Sequence, residues 1–380
     1  MPEFHLERSL VKRIKRHQDG TTFLFGAAFS QAFNAGGGIP NVEGVLEFIE
    51  KYVTDQNDPE DYEDYKSQLL DAKPQEKYQK AFSFIAGCYG QKAVNDIIKN
   101  VVKSNINNDG SHRIPKAIKD FVLGIKNNCF QVKNIITTNF DTLLEEEFKN
   151  QGIEVNSFSV VSDTQLSDNV NNNINIYHLH GIWDRGDTMH TVSQLQQSRA
   201  RIEMSLQNLV SNDLVVVIGY GGWEDSFTRA LATTVTNTSA DYEVLWTFYE
   251  SEPAKIEFER KDLFATLEDA ISRGRVHFYN KIDCNSIFAN LAKVNTLKKK
   301  TERLKLEHQH LDLVNLYHIE DRGYNRNVRK QTFLDSLAHL NNYNALSILA
   351  PLGYGVYDFI SSFQHKVLGR KSKFFSHRLL

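Results

Sequence analysis

Short, continuous apolar runs punctuate the middle of this chain, separated by longer segments whose apolar residues recur at helical spacing. The runs at 21–25, 133–137, 174–179, 214–218, 244–249 and 276–279 read as buried strands. Helical patterns lie between them at about 142–149, 193–209, 224–236 and 254–273. Strands alternating with helices predict an α/β fold, a Rossmann-like, doubly wound parallel sheet. Ahead of the first run, residues 6–17 form a basic amphipathic helix with Leu6, Leu10, Val11 and Ile14 on its apolar face. From about 42 to 130 the pattern is helical throughout, a helical insertion whose acidic segment 55–64 reads as a solvated face or loop. The alternation stops near residue 295. Lys298-Lys299-Lys300 then opens a helical C-terminal extension with a basic end (Lys366, Arg370, Lys371, Lys373, Arg378). The expected organisation is one domain over 1–295 and a helical region over 296–380, with no internal repeats and a loop at Asn171-Asn172-Asn173.

Composition narrows the function classes. Of 380 residues, 41% are hydrophobic and 11% aromatic, enough to build a sizeable core. Forty-four basic and 47 acidic residues leave a formal charge of -3, so direct nucleic-acid binding is not expected, because phosphate affinity needs a concentrated basic surface. No apolar run approaches the ~18 residues of a membrane span, and the first residues lack a secretory pattern. The three cysteines, Cys88, Cys129 and Cys284, are far apart and form neither a disulfide framework nor a metal clip. A cytoplasmic protein with no membrane contact is expected.

Four strand ends carry the polar chemistry. The first run leads into Gly26-Ala27-Ala28-Phe29-Ser30, a small-residue turn that lets backbone N–H groups approach a pyrophosphate, with Ser30 adding a hydroxyl. Alone it is a weak signal, since it lacks GxGxxG and any tight strand could end this way. The second, Thr137-Thr138-Asn139-Phe140-Asp141, sets an amide and a carboxylate at the end of a central strand, where they can hold a ribose, a water or a carboxamide. The plain alternative is a helix start, since Thr142-Leu143-Leu144-Glu145 fits a capping box. The third, Tyr177-His178-Leu179-His180-Gly181, places two histidines on one face if the strand continues through them. A metal there needs a third ligand such as His190 or Asp184, and nothing in the spacing supports one. The fourth runs from 215–218 into Gly219-Tyr220-Gly221-Gly222-Trp223, either a turn before a helix or a second backbone wall for a nucleotide.

Together and in this order, the four segments resemble the sirtuin superfamily. The likeness is carried by Gly26–Ser30 with Gly38-Ile39-Pro40, by the TxNxD-like 137–141, by His180-Gly181 and by Gly219-Tyr220, and it spans about residues 21–291. It implies a domain that takes NAD as substrate and cleaves the nicotinamide–ribose bond. By that resemblance Gly26, Ala27, Ala28 and Ser30 face the phosphates and ribose, and Asn139 holds the ribose or attacking water. Asp141 holds the carboxamide, His180 is the base or ribose partner, and Gly219 and Tyr220 line the adenosine side.

The departures are informative. Deacylating sirtuins carry a four-cysteine zinc module after the HG pair, and here no cysteine lies between Cys129 and Cys284. Ala28 replaces a glycine of the loop, and Glu43 stands near where an arginine follows GIP. The pattern is similar to the bacterial sirtuin-like NADases of anti-phage defence, most of all to the subunit paired with a HerA-type hexameric ATPase. That resemblance implies NAD hydrolysis to ADP-ribose and nicotinamide, a homo-oligomer and an ATPase partner. A deacylase or ADP-ribosyltransferase, a non-hydrolytic NAD or ADP-ribose sensor, and a scaffold subunit are the alternatives. Because the cysteine pairs are missing, elemental analysis of the purified protein is expected to find no stoichiometric zinc. One zinc per chain would contradict this reading.

Overall fold

The computed structural model describes residues 2–292, apart from 18, 32–36, 73, 167–172 and 238. The extension expected over 296–380, Gly36, and positions 171 and 172 of the asparagine loop lie outside the described residues. The chain begins with β1 (Phe4–His5) and α1 (Glu7–Arg16), then β2 (Thr21–Phe25) and the single turn α2 (Ala27–Ser30). The insertion holds α3 (Val42–Asp55), α4 (Pro59–Leu70), α5 (Pro74–Lys103) and α6 (Lys116–Lys126). Next come β3 (Val132–Thr137), α7 (Leu143–Asn150), β4 (Val155–Ser159) and β5 (Ile174–His178). Then follow α8 (Val192–Gln196), α9 (Ala200–Val210), β6 (Leu214–Ile218), α10 (Ser226–Thr234) and β7 (Glu243–Thr247). The last elements are α11 (Pro253–Glu259), α12 (Lys261–Thr266), α13 (Glu268–Ser272) and β8 (Val276–Tyr279).

The strands make one eight-stranded sheet in the order β1-β8-β7-β6-β2-β3-β5-β4, and every pairing is parallel. This is a doubly wound, Rossmann-like sheet. Successive strand residues enter two separate cores. Phe23, Phe25, Ile135 and Val216 pack on the side of α1 and the insertion, whereas Leu24, Ile136, Val215 and Val217 pack on the side of α9 and α10. All five residues of β2 and of β6 are buried, which is why β6 reads as an unbroken apolar run and β2 as one preceded by two threonines. At the amino edge, Asp213 accepts from Thr22 Oγ1 and Lys133 Nζ, tying the entries of β6, β2 and β3 together.

Several expectations need correction. Leu6 is exposed, and only Leu10, Val11 and Ile14 of the first helix face the core. The helix expected over 193–209 is broken at residues 197–199, where Arg199 turns inward, and 254–273 is three short helices. β1 and β4 had no apolar run to announce them, because both are edge strands and only half-buried. The acidic segment is largely solvated, and Asp58 within it caps α4 by accepting from the Glu60 and Asp61 amides.

Candidate functional site

The strand order reverses between β2 and its two neighbours, β6 on one side and β3 on the other. In such sheets ligands bind beyond the carboxyl ends at this point. The ends are level. Ile218, Phe25, Thr137, His178 and Ser159 are successive register partners across β6, β2, β3, β5 and β4. One further rung continues past them, through Gly26 N to Ile218 O, Thr138 N to Phe25 O, and Leu179 N to Thr137 O. The residues that follow this rung are the motifs singled out above.

Gly26 is buried against the β6 end. A Cβ there would lie 2.4 Å from the Gly219 carbonyl oxygen, so no side chain fits. Gly219 itself has φ +69, and a Cβ on it would meet Ala28 Cβ at 3.1 Å. The two turns are in direct contact, with Ala27 and Ala28 on the exposed side.

Asn139, Ser30 and Asp141 form one buried set. Asn139 Nδ2 donates to the Gly26 carbonyl at 3.1 Å and to Ser30 Oγ at 2.9 Å, and Ser30 Oγ donates to Asp141 Oδ1 at 3.1 Å. Asp141 Oδ1 also accepts the Leu143 amide, so Asp141 caps α7. The capping box expected from Thr142 and Glu145 does not form; Thr142 instead accepts from Trp183 Nε1. Burial pushes the Asp141 carboxyl above its ordinary pKa, opposed by the Ser30 hydroxyl and the Leu143 amide.

The two histidines are not equivalent. β5 ends at His178 and His180 lies in the turn beyond it, so the expected same-face pairing does not apply. His178 Nδ1 is 2.7 Å from the Asn139 carbonyl, and Nε2 is 2.7 Å from Glu145 Oε1. A carbonyl and a carboxylate are both acceptors, so both ring nitrogens carry hydrogen and His178 is an imidazolium. Burial pulls its pKa down, but the Glu145 charge and hydrogen bond outweigh that and raise it. Burial would likewise raise Glu145, which His178 and Ser157 hold below its usual value. His178 is therefore committed to holding the Asn139 backbone.

His180 is differently placed. Its Nε2 is buried 3.6 Å from Asp225 Oδ2, too long for a hydrogen bond, and has no other partner among the described residues. Asp225 caps α10 through the Phe227 and Thr228 amides and accepts the Tyr220 hydroxyl at 2.7 Å. Burial favours the neutral acid, yet His180, Tyr220 and the Thr228 amide hold Asp225 below its ordinary pKa. Tyr220 is thus buried and hydrogen-bonded at this end, packed on Trp246 and Phe227. Arg199, also buried, donates to the Val160 and Leu179 carbonyls and to Ser226 Oγ, fastening the ends of β4 and β5 to α10.

The structure thus brings Gly26, Ser30, Asn139 and Asp141 into one contact network and sets Gly219 against Ala28. His180 and Tyr220 both converge on Asp225. Glu145, Asp225, Arg199 and the Tyr78–His190 pair at 2.9 Å were not singled out as site residues from sequence. Only Asp225 had a local signal, an Asp–x–x–Thr capping box opening α10. Among the described residues no group of three or more His, Cys, Asp or Glu is placed to hold a metal, and no helix is long and apolar enough to cross a membrane.

Residues 133–269 match the family model of the SIR2-like domain, a segment that includes Asn139, Asp141, His180, Gly219 and Tyr220 but not Gly26–Ser30. No curated protein matches the chain. Among solved structures, a Sir2 homolog in complex with NAD is 14% identical, with 77% of this chain and 95% of that chain covered and a TM-score of 0.35. A second Sir2 enzyme is 11% identical, with coverages of 78% and 100% and a TM-score of 0.37.

The Glu145–His178 pair predicts a specific pH dependence. His178, raised above 6.5, contributes stability at low pH that is lost as pH climbs through its folded value. Glu145, lowered from 4.5, contributes above that pH and loses its contribution as pH falls through its folded value. Glu145→Gln should therefore destabilise most between about pH 4.5 and 6.5, by on the order of 3 kcal/mol, and progressively less as pH rises through the folded His178 value. Urea unfolding across that range measures it. A deficit that grows as pH rises above about 6.5 would contradict the assignment.

Proposed function

We propose that this carboxyl edge binds NAD and hydrolyses its nicotinamide–ribose bond, giving ADP-ribose, nicotinamide and a proton. One observation carries the reading. Ser30 from α2, the turn that follows β2, and Asn139 and Asp141 from beyond the end of β3 join in a single buried hydrogen-bonded set beside the Gly26–Ala28 turn, at the switch point. The SIR2-like match over 133–269 and the order of the motifs support it.

In this reading the exposed side of Ala27 and Ala28 faces the pyrophosphate. Asn139, whose Nδ2 is held by Gly26 and Ser30, turns Oδ1 to a ribose hydroxyl or the attacking water. Asp141 uses Oδ1 for Ser30 and Leu143, leaving Oδ2 to accept a carboxamide N–H. The leaving nicotinamide is already a pyridinium in NAD, so its departure needs little acid catalysis. The site's work is to orient the ribose and to set a water near the anomeric carbon. Water adds there as the C–N bond breaks, and its proton passes to His180 and on to solvent. With Nε2 turned toward Asp225, Nδ1 is the nitrogen left to meet that proton. The role in anti-phage defence and the HerA-type partner rest on the sequence resemblance alone.

Incubating the purified chain with NAD, with and without an acyl-lysine peptide, and following nicotinamide and ADP-ribose tests the proposal. Hydrolysis without peptide is expected. Asn139→Ala and His180→Ala should each lower the rate by ~10²–10⁴. Asn139→Ala should also lose about 1 kcal/mol of stability with its bonds to Gly26 and Ser30, so rates are compared below its unfolding transition. Full activity in both variants would reject the site. Nicotinamide release only with peptide would favour a transferase or deacylase.

A further inference from the structure

Nine residues after His180 the chain returns to the same strand end. Met189 donates its amide to the His180 carbonyl at 2.9 Å, so this segment runs beside the turn that carries His180. The next residue, His190, is 3% exposed. Its ring stacks on Phe82 of α5, with centroids 4.6 Å apart, and meets Phe140 edge-on at 5.3 Å. Phe140 stands between Asn139 and Asp141, so His190 touches the second strand-end motif, runs beside the third, and contacts the helical insertion.

The hydrogen bonding of His190 is half complete. Nδ1 lies 2.9 Å from the Tyr78 hydroxyl, which makes no other hydrogen bond among the described residues. Burial keeps that phenol protonated, so its O–H donates to Nδ1. Burial, and secondarily His180, push the His190 pKa down to about 3, so the ring is neutral and its one hydrogen sits on Nε2. That N–H is buried and, among the described residues, donates to nothing, and Thr188 Oγ1, two residues earlier, is likewise buried without a partner among them. Native proteins seldom leave such groups unpaired, and those they leave mark functional positions or bound molecules.

Resting on the NAD reading above, we propose that His190 is a second binding histidine of this site. It gives its Nε2–H to an uncharged oxygen of the substrate, a carboxamide carbonyl or a ribose hydroxyl. A neutral imidazole offers a phosphate no counter-charge, which is why an uncharged acceptor fits. Tyr78 sets the tautomer, so the insertion takes part in substrate recognition from 112 residues away in sequence.

Calorimetric titration of the full chain with ADP-ribose and, separately, with nicotinamide tests this. His190→Phe keeps a flat ring in the same aromatic frame and removes the donor, and should weaken binding ~10-fold. His190→Gln keeps an N–H and should recover most of that loss. Tyr78→Phe frees the tautomer and should weaken binding ~3-fold, which keeps the test available if His190→Phe fails to fold. A loss confined to ADP-ribose assigns the bond to a ribose hydroxyl; one confined to nicotinamide assigns it to the carboxamide. Unchanged affinities in His190→Phe and Tyr78→Phe, alongside weakened binding in Asn139→Ala, would overturn the role of His190 and leave the NAD site standing. No binding of either ligand by the unaltered chain would overturn both.

Discussion

Parallel strands that end level with one another expose a row of backbone carbonyls, and those carbonyls must find donors once the edge is covered. In this protein the amides of one further backbone rung supply some of them and side chains supply the rest. Thr137 Oγ1 donates to Phe25 O, Asn139 Nδ2 to Gly26 O, and His178 Nδ1 to Asn139 O. Arg199 takes the Val160 and Leu179 carbonyls, and Thr247 Oγ1 takes Val217 O. The groups that close the sheet edge are therefore the groups that build the site. Asn139 is held by the Gly26 carbonyl and Ser30 by Asn139 and Asp141, and such prior ordering lowers what a bound substrate must still organise.

The same constraint separates three buried imidazoles that sequence presents as alike. His178 lies between a carbonyl and a carboxylate and is fixed as a cation. His190 lies among aromatic rings and is fixed as a neutral ring. His180 faces the Asp225 carboxylate at a distance too long for a hydrogen bond, with nothing else on Nε2 among the described residues. A histidine locked in one protonation state is a support or a binding group. Under the proposed function His180, beside a carboxylate without being clamped by it, is the proton carrier.

How much of this was legible in the sequence follows from burial. β2, β6 and β8 fall where the apolar runs do, and in β6, buried on both faces, the run has no polar gap at all. The edge strands β1 and β4, and the breaks around Arg199, left no such trace. The strand-end motifs were visible because glycines and polar residues stand out after apolar runs. Their partners were not. Glu145 read as half of a capping box, yet it reaches His178 across 33 residues. His190 stood out only as a prospective metal ligand, and its partner Tyr78 sits in an insertion whose helical pattern carries no chemical signal. Contacts between distant residues have no local period, so only the folded chain reveals them.

The central claim is that substrate binds across the ends of β2, β3 and β6. Amide hydrogen exchange with and without saturating ADP-ribose tests it most directly. The account predicts slowed exchange at residues 26–31, 138–141 and 219–222, with the amino edge around Asp213 unchanged. Protection falling elsewhere while the 26–31 and 138–141 amides exchange as in the free protein would contradict it.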